Sequence, residues 1–79
     1  MDFKQIEAFI NVAKFKSFSK AANSIFLSQP AISSHISILE KELKVQLFDR
    51  TSKEVILTPA GESFLKFAIE ILNTRDKAI

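Results

Sequence analysis

The chain has no cysteine, tryptophan or tyrosine, and only one histidine and one glycine among its 79 residues. Without cysteine there is no disulfide and no thiolate metal site, which fits a reducing cytoplasm. With a single histidine as well, the donor set of a structural zinc site is missing. No apolar run reaches the length needed to cross a bilayer, so no membrane partner is expected. The opening, MDFKQIEAF, carries an acid at its second position and lacks the long apolar stretch of a secretory leader. No segment is repeated or of low complexity. A chain this short makes one small domain and buries only roughly 60% of its unfolded surface, so a staple or a partner is expected. The formal net charge of +2 permits a polyanionic partner without pointing to one. The placement of charge says more.

From Phe18 to Arg50 the chain reads FSKAANSIFLSQPAISSHISILEKELKVQLFDR. SKAANSI predicts a short helix, with Ser19 placed to accept its first free N–H groups. A break follows at Phe26 and Leu27. Ser28 then caps a longer helix, with Pro30 in the first turn, where a missing N–H matters least. Two helices joined by so short a turn cross steeply, and the small side chains of Ala21 and Ala22 allow the close contact. Counting Phe18 as position one, Ala22 falls at five and Ile32 at fifteen, the spacing of a DNA-reading helix-turn-helix.

At about 100° per residue, Ile32, Ile36, Leu39 and Leu43 share one stripe of the second helix, the side to be buried. The opposite side carries Pro30, Ser33, Ser34, Ser37 and Lys41, with Gln29 at the leading end and His35 flanking. Hydroxyls donate or accept, and an amide can pair bidentately with adenine. There is no Asp or Glu from Ala8 through Leu39, whereas Lys14, Lys16 and Lys20 lie in that stretch. Such a surface avoids repelling phosphates. Taken alone it could equally be a serine-rich solvated face with no ligand; the turn spacing favours DNA.

Asp2 can cap a first helix from Phe3 to about Phe15, with Phe3, Ile6, Phe9, Ile10 and Ala13 at helical spacing. These are expected in the core, as are Phe18 and Phe26. After the reading helix ends near Leu43, KVQLFDR and EVILT read as two short extended segments joined by TSK, a small β-hairpin or wing. Thr58 and Pro59 open a last helix that runs to Ile79. Its apolar residues spread over roughly 200°, about twice what one buried face needs. A small chain cannot cover both flanks of so long a helix. One flank, Phe64, Phe67 and Ile71, is therefore expected on the core. The other, Leu65, Ala68, Leu72 and Ile79, is expected on a second copy, with Arg75 weakening its far end.

With these residues in view, the sequence resembles the LysR-type transcriptional regulators. The AA pair, SQPA, S..I..LE..L, LF.R and LT.AG occur together and in order, and the likeness extends over nearly the whole chain from Phe3. It implies a mainly α winged helix-turn-helix with a three-helix core, a short two-stranded wing and a long C-terminal linker helix. Residues 1–58 would form the DNA-binding domain, with the helix-turn-helix at about 18–37, and residues 59–79 the linker and dimerisation helix. It implies reading roles for Ser28, Gln29, Pro30 and Ser33, a backbone contact for Arg50 and a basic wing tip at Lys53. The full candidate set adds Ser34, His35, Ser37 and Thr51. In such regulators a larger effector-binding domain follows, so a small-molecule effector is expected only there, and no cofactor here. Lys16, Phe26 and Lys44 stand where relatives usually carry Gly, Asn or His, which implies a left-handed backbone at about 1 kcal/mol each. Ser34 stands where Arg is frequent.

The expected function is sequence-specific binding of double-stranded DNA as a dimer on an interrupted palindrome. The alternative is a helical module that contacts only proteins, which would show apolar anchors on the second helix. An enzyme is not expected, since His35 has no acid or nucleophile at a convincing spacing.

Overall fold

The computed structural model describes residues 1–79. It contains four helices: α1 Phe3–Phe15, α2 Phe18–Ser24, α3 Gln29–Leu43 and α4 Pro59–Ala78. Among the helices, α1 is the centre. It packs on α2, α3 and α4, whereas α4 packs on no other helix.

Each helix starts where a side chain satisfies its free N–H groups. At α1 this is a reciprocal capping box: the Gln5 N–H donates to Asp2 (2.8 Å) and the Asp2 N–H to the Gln5 side chain (3.3 Å). At α2 the cap is Ser17, which accepts from the Lys20 N–H at 3.1 Å, so Ser19 lies inside the first turn and not at its head. The earlier start makes Phe18 helical and turns its ring toward Phe48, with centroids 6.0 Å apart. At α3 Ser28 accepts from the Ala31 N–H at 3.2 Å, with Pro30 in the first turn.

Three helices end through a residue in the left-handed region: Lys16 (φ 54°), Phe26 (φ 57°) and Lys44 (φ 59°). At the last two, the following N–H reaches back five residues, Leu27 to the Ala22 carbonyl (2.9 Å) and Val45 to that of Glu40 (3.2 Å). That bond closes a Schellman-type turn. The reversal swings Phe26 out to 95% exposure and tucks Leu27 against the core in its place. Phe26 is therefore not a core residue, contrary to the expectation from its aromatic character. Phe3, also expected inside, is 48% exposed.

The core centres on Phe9, whose ring meets Phe48 (5.5 Å) and Phe64 (5.4 Å) in tilted pairs. Ile32, Ile36 and Leu39 of α3 are fully buried, with Leu43 partly so, and Ala21 and Ala22 sit at the α2 crossing.

The expected two-stranded wing is not formed as a sheet. Residues 44–58 contain one isolated antiparallel bridge, Phe48 with Leu57, supported by the Asp49 N–H donating to the Ile56 carbonyl at 2.8 Å. The reason lies in where the other ladder groups go. Leu47 and Phe48 are successive buried residues, which a flat half-buried strand does not allow. The Thr58 N–H, donating to the Leu47 carbonyl, supplies the second bond of that bridge, but the Leu47 and Phe48 N–H groups turn away to the Glu40 carboxylate. Little remains to pair a second strand.

Thr58 ties this segment to α4. Its hydroxyl accepts from the Gly61 N–H (2.9 Å) and donates to the Gln46 carbonyl (2.6 Å). Gly61 is required by contact: a Cβ there would stand 2.1 Å from the Leu47 carbonyl oxygen. Further along, α4 faces α1 through Ala68, which is fully buried, with Phe64, Leu65, Ile71 and Leu72 partly buried beside it. The wheel reading had split these residues between two flanks. Instead the small Ala68 lies at the centre of the inward stripe, and Phe67 is turned outward at 59% exposure. Arg75 continues the inward stripe, pairing with Glu7 of α1 at 2.7 Å and lying over the Phe3 ring. The Glu7 carboxylate, then that of Asp76, pushes the guanidinium pKa upward.

Candidate nucleic-acid interface

With Ile32, Ile36 and Leu39 sealed inside, α3 can present only one surface. Ser28, Gln29, Pro30, Ser33 and Ser34 are exposed along its leading two turns, and His35 and Ser37 are half-buried behind them. The exposed group is made of hydroxyls, one amide and a proline ring, with no carboxylate. Its only large apolar neighbour on this helix is Ile38, 48% exposed.

Lysines line two recesses, in each case beside a carboxylate, Glu40 in the first and Glu54 in the second. Ser37, Lys41, Lys44 and Gln46 surround a polar recess of about 320 Å3 at the trailing end of α3. Lys53, in the 44–58 segment, lines a second recess together with Lys16 from the end of α1. The turn before Lys53 is organised by Asp49, whose carboxylate accepts from the Thr51 hydroxyl (2.6 Å) and N–H (2.9 Å). These bonds, the hydroxyl's first, hold the Asp49 carboxyl below its ordinary pKa. Thr51 is thus exposed but already engaged in shaping its own loop.

Arg50 is also engaged. One terminal nitrogen, Nη2, lies 2.6 Å from Glu40 Oε1, while half of the side chain faces solvent. Glu40 itself is only 6% exposed and accepts the Leu47 and Phe48 N–H groups through Oε2 (2.7 and 3.3 Å). In the sequence Glu40 ends the acid-free run and is the acid of the LE..L motif, with no burial expected of it. A signal was present: Glu40 lies four residues after Ile36 and three before Leu43, so an acid falls inside the apolar stripe.

The residues expected on a second copy are not together on one open face. Ala68 is sealed in its own core, Leu65 and Leu72 are partly buried, and Ile79 is 96% exposed at the helix end. The more open apolar residues of α4 are Phe67 and Ile69, and Phe67 borders a recess of about 490 Å3 together with Phe3, Ile71 and Ala78.

No group of three or more His, Asp or Glu side chains is placed to hold a metal ion. No helix is long and apolar enough to cross a membrane.

The family described as "Bacterial regulatory helix-turn-helix protein, lysR family" matches residues 3–62. The chain belongs to the LysR family. The transcriptional regulator CitR of Bacillus subtilis is 38% identical over 79 residues, all of this chain and 27% of that protein. The regulator BenM of Acinetobacter baylyi is 37% identical over the same length, 26% of its own. The chain thus spans about a quarter of these two regulators. Among solved structures, the BenM DNA-binding domain in complex with catB site 1 DNA superimposes with a TM-score of 0.93 at 37% identity, over 99% of this chain and 88% of that one. The CbnR DNA-binding domain–DNA complex gives 0.93 at 36% identity, over 99% and 90%. The fold is that of LysR-family DNA-binding domains.

Proposed function

We propose that this chain reads double-stranded DNA for a LysR-type transcriptional regulator in the cytoplasm. The leading end of α3 enters the major groove, where Ser28, Gln29 and Ser33 reach base edges and Pro30 and Ser34 pack beside them. Lys41, Lys44, Lys53 and Arg50 face the phosphates, with His35 and Ser37 between the two sets. The observation that carries this reading is the α3 surface itself, an exposed hydroxyl and amide face without a carboxylate on a helix whose other face is sealed. Bases offer donors and acceptors that such a face can match, and phosphates reject acids. The relatives solved on DNA at 36–37% identity support the same docking.

A second copy completes the reader in this proposal. Two reading helices on one duplex recognise an interrupted palindrome, and the outward flank of α4, with Phe67 and the Phe3 and Ile71 recess, joins the copies. This replaces the seam through Ala68, which is occupied by α1. In the whole regulator, a small-molecule effector acts on a separate domain and biases this pairing.

The test is selection of duplexes from a random library, followed by fluorescence anisotropy on a recovered duplex and its scrambled counterpart. Preferential, saturable binding of the recovered duplex is expected. Equal affinity for both would leave only a general polyanion binder. The rival protein-contact reading has one anchor on α3, Ile38, and predicts no enrichment of any sequence.

A further inference from the structure

Glu40 is an oddity on a helix that faces DNA. A carboxylate near phosphates repels them, and burying one is unfavourable unless its charge and lone pairs are matched. Here they are matched fully: two backbone N–H groups on Oε2 and the Arg50 guanidinium on Oε1. Arg50 is also steadied by its Nε donating to the Gln46 side chain at 3.4 Å, which leaves Nη1 without a protein partner on a side chain that is half exposed. From Gln29 to Glu40 is 11 residues of α3, about 16 Å along the axis at the usual helical rise. The major groove is about 12 Å wide, so a group that far behind the leading residue lies outside it, at the level of the backbone.

We infer that Glu40 is a positioning residue for the DNA-backbone contact: from the reading helix it fixes the Arg50 guanidinium so that the outer edge meets a phosphate. The arrangement links the base-reading end and the backbone contact through one rigid helix. A guanidinium suits the task because it can hold a carboxylate with one edge and a phosphate with the other. An ammonium cannot do both in fixed geometry. The inference rests on the DNA-binding reading above.

The experiment is anisotropy with the 79-residue chain on a duplex recovered by selection and on its scrambled counterpart, with circular dichroism melts alongside. The variants are Arg50→Ala, Arg50→Lys, Glu40→Gln and the Glu40→Gln/Arg50→Ala double. Glutamine keeps an oxygen for the Leu47 and Phe48 N–H groups but turns a donor, not an anion, toward Arg50. Each single variant should weaken both duplexes by about tenfold, the scale of one charged hydrogen bond. The double variant should bind no worse than Arg50→Ala, because both changes remove the same contact. Charge alone predicts the opposite sign for Glu40→Gln: removal of an acid near phosphates would tighten binding.

Glu40→Gln binding as tightly as wild type or tighter, or losses that multiply in the double variant, would overturn the positioning role. So would wild-type affinity in Arg50→Lys, an arm that decides the matter even if Glu40→Gln fails to fold. Arg50→Ala weakened beside an unchanged Glu40→Gln leaves the DNA reading standing and overturns only this inference. Arg50→Ala without loss removes the contact itself, and no variant or wild type binding any duplex would end the DNA reading.

Discussion

Both α3 and α4 open on a hydroxyl cap followed by a proline, and both press an apolar stripe onto α1. Their outward faces are unlike. On α3 the exposed residues are hydroxyls, an amide and a proline at the leading end and Lys41 and Glu42 at the trailing end, with Ile38 the lone large apolar one. On α4 they include Phe67 (59% exposed), which borders one recess with Phe3 of α1, and Ile69 (43%) on the other flank. Packing against α1 uses up one side of each helix, and what is left over declares the chemistry of the partner. A hydrated, hydrogen-bonding face suits groove edges and phosphates. An apolar one suits a second copy, which can bury it.

Ionic strength should separate the two faces most widely. With roughly 6–10 phosphate contacts per dimer, DNA affinity should fall by about three to five orders of magnitude between 50 and 200 mM salt. Self-association through α4 should change little over that range, because burial of apolar surface is not screened. Anisotropy and sedimentation equilibrium on the same samples give both slopes. A flat slope for DNA, or a steep one for self-association, breaks the contrast.

The inward faces should be alike in kind and unequal in degree. Ile36→Ala, at a fully buried site on α3, should destabilise folding by about 2–5 kcal/mol. Gly61→Ala drives a methyl into the Leu47 carbonyl and should lose about 1–3 kcal/mol as α4 lifts from residues 44–58. Urea titrations monitored by circular dichroism measure both. A Gly61→Ala chain of wild-type stability would mean that the helix start is loosely docked.

On the polar face, Gln29→Ala should weaken a selected duplex by about 1–3 kcal/mol and leave a scrambled one nearly unchanged. Equal losses on the two would make Gln29 a backbone contact. On the apolar face, Phe67→Ala should alter folding stability by less than about 0.5 kcal/mol, as surface changes usually do, while weakening self-association. Wild-type sedimentation of Phe67→Ala would move the interface off this flank.

Much of this was legible in the sequence because it is written in neighbouring residues. Asp2, Ser28 and Thr58 cap the helices they precede, and Ile32, Ile36 and Leu39 recur at helical spacing. The left-handed backbone at Lys16, Phe26 and Lys44 followed from the family resemblance. Ser17 and Ser19 show the limit of such reasoning: two serines two residues apart can both cap, and the choice fell to Phe18 packing on Phe48, thirty residues away.

What only the tertiary structure decided lies where one group had to choose among distant partners. A helical wheel finds the apolar arc of α4 but cannot orient it. Ala68 took the centre because a small side chain lets α1 and α4 approach closely, and that turned Phe67 outward. The 44–58 segment has strand-like composition, yet the buried Glu40 carboxylate takes the Leu47 and Phe48 N–H groups and Thr58 turns into α4, so the pairing stops at one bridge. Arg50 reads as a surface cation until that same carboxylate binds it. Local hydrogen bonding and periodicity determine where the helices start, stop and amphipathically divide. Which apolar flank stays open, and what a buried charge holds in place, depend on contacts between residues that the sequence sets far apart.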